Sequence, residues 1–372
     1  MNIALTTILL FAVFGILLFI GCPISVGIVI SSIVTAVSTL SWDQITFITM
    51  QKMNSGVESF SLLAVPLFIL AGNIMNNGGI ARRLVNFAKL FCGWIPGSLA
   101  QANVLGNMLF GALSGSAVAA SSAMGGCIYP IQKEEGYDPA FATAVNIASA
   151  PTGLLIPPTS ALIVYSTVAG GVSISALFMA GYVPGILMGL GTMVVAFIYA
   201  KRRKYPTSGR VPVKEALKIT FEAIPSLLLI VIVIGGIVAG IFTATEGAGV
   251  CVLYCLILSV IYKSIDMKSF MKILLNSAAT SGIILFLISA SSAMSWVMAY
   301  SGIPAAISEG LMSVSTNKYV ILLLMNVILL IVGMFMDITP AILIFIFYFD
   351  VHLVRLGSIN HVILPPICHG NF

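Results

Sequence analysis

Long apolar runs separated by short polar turns set the pattern of this chain. At about 20 apolar residues per membrane crossing, the runs predict segments over 3–20, 24–40, 58–77, 98–128, 140–167, 172–200, 221–243, 247–263, 273–299 and 319–345. Two runs are interrupted by residues that break or loosen a helix. One holds Gly111-Ala-Leu-Ser-Gly-Ser-Ala-Val-Ala-Ala120, the other Ala150-Pro-Thr-Gly-Leu-Leu-Ile-Pro-Pro-Thr159. Inside a bilayer, backbone that leaves the helical pattern must be buried in protein or line a cavity. Two such interruptions point to a substrate or ion pathway near the midplane.

Composition agrees with the pattern. The chain has 372 residues, 59% of them hydrophobic and only 8% charged, where soluble domains carry about 25% charged residues. Residues 139–200 contain no Asp, Glu, Lys or Arg. Much of the net charge of +5 lies in connecting segments, above all Lys201-Arg-Arg-Lys204 with Arg210, Lys214 and Lys218 behind it. A basic run wedged between apolar segments reads as a cytoplasmic loop rather than a nucleic-acid patch. Residues 201–220 then form a central connector, and Trp42 to Glu58 an interfacial arm. Cys251 and Cys255, four apart on one helical face, read as buried thiols. No positive residue precedes Cys22 and Pro23 follows it, which argues against a lipidation or signal-cleavage site there.

The halves repeat weakly. Gly79-Ile80 matches Gly302-Ile303, offset by 223 residues (302 − 79), and Gly111 matches Gly333, offset by 222 (333 − 111). Corresponding broken segments in two halves are the mark of an internally repeated transporter. By the same offset Ile156-Pro157-Pro158 should have a partner near position 378, beyond Phe372. All three His (His352, His361, His369) also fall in the last stretch. The expectation is a membrane domain over 1–345, with its second repeat incomplete, and a foreign tail over 346–372 produced by frameshift or truncation.

The interruptions define the candidate site. Ser114-Gly115-Ser116 places two hydroxyls at a hairpin tip, where freed carbonyls suit a hard cation such as Na⁺. Exposed N–H groups at a half-helix start suit a carboxylate; close helix packing through small residues is the competing reading. Thr152, Gly153, Pro157, Pro158 and Thr159 belong to the second interruption, whose prolines remove backbone donors and free carbonyls. Gly333 opens a second tip, and Asp337 is an acid at the end of a long apolar run, the kind of residue that serves ions or protons. Glu246 reads as an N-terminal helix anchor, and Asn73, Asn76, Asn103, Asn107 and Asn146 as interhelical hydrogen-bonding residues. Enzyme chemistry has little to stand on: HExxH and Walker A patterns are absent. No His precedes His352 to act as a base for Ser114.

At these residues the chain resembles the large membrane subunit of TRAP transporters, the tripartite ATP-independent periplasmic family. The likeness rests on Ala64-Val-Pro-Leu-Phe-Ile-Leu-Ala-Gly72, Gly78-Gly-Ile-Ala-Arg-Arg-Leu84, Ser114-Gly-Ser116, Gly136-Tyr-Asp138, Ile156-Pro-Pro158, Thr245-Glu246 and Gly333-Met-Phe-Met-Asp337. It implies an all-α polytopic protein of the bacterial inner membrane, built as an inverted-repeat, elevator-type transporter with scaffold helices and two helical hairpins. It further implies Na⁺-coupled uptake of organic acids such as C4-dicarboxylates, sialic acid or sugar acids, with no cofactor besides the coupling ion. A small membrane subunit and a periplasmic substrate-binding protein are the implied partners. By this likeness Ser114, Gly115 and Ser116 form the first tip, Thr152 to Thr159 the facing unwound helix, and Gly333 to Asp337 the second hairpin. Na⁺ would sit near Ser114, Ser116 and Gly333. The incomplete second repeat implies impaired transport. Two alternatives stand beside this reading: another Na⁺-coupled carboxylate carrier with repeated hairpins, or a non-transporting membrane scaffold.

Overall fold

A computed structural model describes residues 3–303 apart from 170–171, 208 and 210, and beyond these 306, 313, 317–333, 338–339 and 341–343. Asp337 and the tail over 346–372 lie outside the described residues. Among those described, every regular element is helical. Among the described residues five helices are long and apolar enough to cross a membrane: Phe60–Asn77, Ile174–Arg203, Val213–Val238, Ala244–Ile261 and Met267–Tyr300. The pair Pro139–Leu155 and Ser160–Val168, bent by 43°, adds a sixth if taken as one broken span. The protein is an all-α, multi-pass membrane protein.

The chain divides into two compact units. The first takes the described residues of Met1–Leu62, Val164–Val172 and Ala279–Phe372. In it α1 (Ile3–Phe19) folds back on α2 (Ile24–Val37). The turn closes where Cys22 N–H reaches back to Leu17 O and Pro23 forbids continuation. Buried Ser31, Ser32 and Thr35 on α2 satisfy their hydroxyls on carbonyls of their own helix, Ile28 O and Ser31 O. Helix α3 (Trp42–Ser55) opens with a Ser41–Gln44 capping box. It buries Ile45 against Ala36 and Val297 while leaving Trp42, Phe47 and Met50 exposed. That one-sided burial fits the interfacial arm read from the sequence.

The second unit, Leu63–Ile163 with Ser173–Ala278, carries the two interruptions. Its helices are α4 (Ala64–Asn77), α5 (Ile80–Cys92), α6 (Ser98–Ser114), α7 (Ala117–Glu134), α8 (Pro139–Ser149), α9 (Thr152–Leu155), most of α10 (Ser160–Val168), α11 (Ile174–Arg203), α12 (Val213–Val238), α13 (Ala244–Ile261) and the start of α14 (Met267–Tyr300). Helix α4 packs along α13, and Asn73 Nδ2 donates to Ser277 Oγ at 2.8 Å. Helix α5 is amphipathic: Ile80, Leu84, Val85, Ala88 and Cys92 are buried on one side and Arg82 is exposed on the other. The Arg83 guanidinium lies 3.5 Å over the Tyr262 ring, and Ser264 Oγ donates to Gly78 O, tying the Gly78–Gly79 turn to the loop after α13.

Helix boundaries depart from the hydropathy reading where charge masks helix. α12 begins at Val213, inside the basic connector, because Lys214, Glu215 and Lys218 lower the hydropathy without breaking the helix. α14 begins at Met267, ahead of the predicted 273, for the same reason at Lys268 and Lys272. The segment predicted over 98–128 splits at Gly115, and that over 140–167 splits at Ala150–Thr159. Helix α11 ends in Lys201, Arg202 and Arg203, cations at the negative pole of its dipole. Gly79 and Gly302 have φ of +72° and +68°.

Candidate functional site

The first interruption folds as a helical hairpin. Helices α6 and α7 pack on each other and Gly115 joins them at φ +61°, its N–H donating to Gly111 O at 2.8 Å. Ser116 is extended (φ −140°) and caps α7, its Oγ accepting from Ala119 N. Ser114, buried, brings its Oγ to 3.5 Å from Ser116 O. The C-terminal end of one half-helix and the N-terminal end of the other therefore meet at three residues, with orphan carbonyls from α6 and orphan N–H groups from α7.

The second interruption is an unwound stretch. Helix α8 ends at Ser149, α9 makes one turn, Ile156 is extended (ψ 118°), and a cis bond links Pro157 to Pro158 before α10 starts. In a continuous helix the carbonyls of Gly153 and Leu154 would receive the N–H of residues 157 and 158, which the prolines lack. Thr152 and Thr159 are both fully buried. Thr152 Oγ1 donates to Ser149 O at 2.6 Å, and Thr159 Oγ1 accepts from Leu162 N as the cap of α10.

These two interruptions meet. A Cβ on Gly115 would lie 2.6 Å from Pro158 O and 3.1 Å from Thr159 Cα. About 6 Å down the hairpin at helical rise, Gly111 and Gly153 cross backbone on backbone, a Cβ on Gly111 falling 2.1 Å from Gly153 Cα. Below the crossing, Asn107 Nδ2 donates to Asn103 Oδ1, Asn146 Oδ1 and Ser149 Oγ, and Asn146 Nδ2 donates to Ser121 O. Asn73, Asn107 and Asn146 thus bridge helices as expected, Asn103 bonds within α6, and Asn76 is exposed. Of the sequence-predicted set, Ser114, Gly115, Ser116, Thr152, Gly153, Pro157, Pro158 and Thr159 converge in one unit. Gly333 belongs to the other unit, exposed at the end of helix Lys318–Gly333. Glu246 forms a capping box with Thr243 at the start of α13, the anchor role read from the sequence.

Sequence reasoning overlooked what seats the unwound stretch. Gly181 and Gly185 of α11 press against it: a Cβ on Gly181 would lie 2.5 Å from Leu155 O, and one on Gly185 2.5 Å from Ile156 Cγ1. The signal was present as glycines four apart, Gly181, Gly185 and Gly189, the small-residue spacing that lets membrane helices touch. Chemically the site is uncharged. Among the described residues no group of His, Cys, Asp and Glu is placed to hold a metal ion. Hydroxyls, freed carbonyls and half-helix N–H groups remain, a donor set suited to a hard monovalent cation and to a carboxylate.

A polytopic helical protein with a hairpin tip seated on a proline-broken span has the architecture of a membrane transporter. The fold resembles the solved YdaH transporter of Alcanivorax borkumensis, with a TM-score of 0.57 over 86% of this chain and 75% of that one, at 16% identity. The family model for the tripartite ATP-independent periplasmic transporter, DctM component, matches residues 11–358. The chain belongs to this family, the large membrane subunits of TRAP transporters, and is a multi-pass inner-membrane protein. It is 53% identical to YgiK of Salmonella typhimurium (98% of this chain, 82% of the relative). It is 36% identical to the sialic acid TRAP transporter large permease SiaM of Vibrio cholerae (86% and 75%). To the C4-dicarboxylate TRAP transporter large permease DctM of Rhodobacter capsulatus it is 32% identical (95% and 83%). Its family is one of transporters, not enzymes.

Proposed function

We propose that this chain is the large permease subunit of a Na⁺-coupled transporter for organic acids, working with a small membrane subunit and a periplasmic binding protein. Relatives named for sialic acid and C4-dicarboxylates support an anionic organic cargo. The observation that carries the reading is the seating of Gly115 on Pro158 and Thr159. It brings Ser114 and Ser116 beside the stretch where prolines leave carbonyls of Gly153 and Leu154 without their helical donors. In this reading Na⁺ is held by those oxygens, and its charge draws the carboxylate to the N–H groups at the start of α7. Neither interrupted stretch, 111–120 or 150–159, contains an arginine, so the bound cation supplies the attraction that an arginine would otherwise give. In this reading Gly333 and Asp337 enter a second hairpin, Na⁺ lies near Ser114, Ser116 and Gly333, and the two hairpins move against the scaffold helices to carry both solutes.

The test is uptake by cells expressing the chain with its small subunit and binding protein, in media containing Na⁺ or choline. Radiolabelled sialic acid and succinate serve as probes. Uptake that requires Na⁺, and a roughly tenfold rise in the Na⁺ needed for half-maximal uptake in Ser116→Ala, are expected. Equal uptake in choline would refute the coupling.

A further inference from the structure

Helices α12 and α14 open on the same pattern, and both openings belong to the second unit. Val213-Lys-Glu-Ala-Leu-Lys-Ile-Thr-Phe221 and Met267-Lys-Ser-Phe-Met-Lys-Ile-Leu-Leu275 each place apolar residues four apart, with a lysine directly after the first two. Val213, Leu217, Phe221, Met267, Met271 and Leu275 are all between 53% and 76% exposed. Lys214, Lys218, Lys268 and Lys272 are exposed beside them, while Ala223 and Ile273 are buried on the far side. In a multi-pass membrane protein an exposed apolar stripe faces lipid. On α12 the stripe runs on through Ile224, Leu228 and Val231, and Val213 to Phe221 extends it by about 12 Å toward the helix start. That end lies at headgroup depth, where lysines reach the phosphates. The run Lys201–Lys204 marks the connector before α12 as cytoplasmic. α12 and α13 cross once each, so α14 starts on the same side.

In water this arrangement would be unfavourable. Lysines four apart on one helix repel each other, and cations in the first turns oppose the helix dipole. The first turn of α14 holds no acid to offset them. Asp266, just ahead of it, is occupied as a cap, its Oδ1 accepting from Ser269 N. On α12 the acids Glu215 and Glu222 lie about 150° around the helix from the stripe, the lysine pair only about 80°. A phosphate between the paired lysines relieves both the repulsion and the dipole conflict. We propose that each lysine pair, Lys214 with Lys218 and Lys268 with Lys272, holds the phosphate of an anionic phospholipid of the cytoplasmic leaflet. The acyl chains of that lipid cover the stripe alongside. A free anion would leave the stripe bare, and the continuity of the stripe along α12 favours lipid over a protein segment. The proposal does not depend on the cargo or on Na⁺ coupling.

The experiment is native mass spectrometry of the full chain in detergent micelles, titrated with phosphatidylglycerol or phosphatidylcholine. Two phosphatidylglycerol molecules should bind in preference to phosphatidylcholine. Each lysine removed should weaken its own site roughly fivefold. Lys214→Gln with Lys218→Gln, and separately Lys268→Gln with Lys272→Gln, should therefore each weaken one of the two lipids by about twenty-fivefold. Arginine in place of either pair should retain binding, and Glu215→Gln with Glu222→Gln should not weaken it. In lipid-free detergent the glutamine variants should melt no lower than the wild type, since they lose a repulsion. Equal binding of the two lipids, or binding untouched by both glutamine pairs, overturns the proposal. Displacement of phosphatidylglycerol by an equal concentration of glycerol 3-phosphate would assign the lysines to a free anion, and its exclusion by the small membrane subunit would assign them to a protein partner. Either result overturns it as well.

Discussion

Gly115 offers a clean dissection of the hairpin tip, because two separate costs fall on it and other glycines carry them singly. Gly115→Ala would place a side chain at φ +61° and drive its Cβ to 2.6 Å from Pro158 O. The left-handed conformation costs about 1–2 kcal/mol, and overpacking against fixed backbone about 1–3 kcal/mol. Together these make roughly 2–5 kcal/mol. Gly136 has φ +78° with open space around it, so Gly136→Ala isolates the first cost. Gly111 has helical φ and a Cβ position 2.1 Å from Gly153 Cα, so Gly111→Ala isolates the second. Gly126, inside α7 with nothing near, should gain about 0.5–1 kcal/mol from the same change. The assay is thermal unfolding of the four purified variants, followed by circular dichroism, with a Na⁺ titration of the melting temperature. Gly115→Ala should be more harmful than Gly136→Ala, and together with Gly111→Ala should need more Na⁺ for half-maximal stabilisation. A Gly115→Ala protein as stable as Gly126→Ala would refute the seating of the tip on the broken helix.

Other expectations follow from single contacts. Asn107→Leu removes the donor shared by Asn103, Asn146 and Ser149 in a fully buried position. It should cost about 1–3 kcal/mol, read as a lower melting temperature in detergent. Burial pushes the Cys92 thiol up to about 11, so near pH 7 its thiolate fraction is on the order of 10⁻⁴. Its alkylation by iodoacetamide should lag behind that of the less buried Cys22, and peptide mass spectrometry can rank the two. The lag should shrink above pH 10, as the Cys92 thiolate begins to form.

The tip and the broken span were legible because each violates its surroundings. Ser114-Gly-Ser116 and the three prolines of 151–158 cannot sit in a smooth apolar helix, so the interruption is visible in one dimension. What receives the interruption was not. Gly111 on Gly153 and Gly181 on Leu155 O are approaches between distant stretches, and only a folded chain shows which glycines touch. Hydropathy also misplaced helix starts at Val213 and Met267, where lysines lie on helices without ending them. The Glu246 anchor was readable in advance because a capping box is local, fixed by Thr243 three residues before it.

The central claim is that the hairpin tip and the broken helix hold a Na⁺ ion. Its most direct test is the melting temperature of the full chain titrated with NaCl against choline chloride at constant ionic strength. An ion bound only by the folded protein stabilises it in proportion to RT ln(1 + [Na⁺]/Kd). The account predicts a saturating rise with Na⁺ alone, diminished in Ser114→Ala and in Ser116→Ala. Identical curves in the two salts, or a Na⁺ response that both substitutions leave intact, would contradict it.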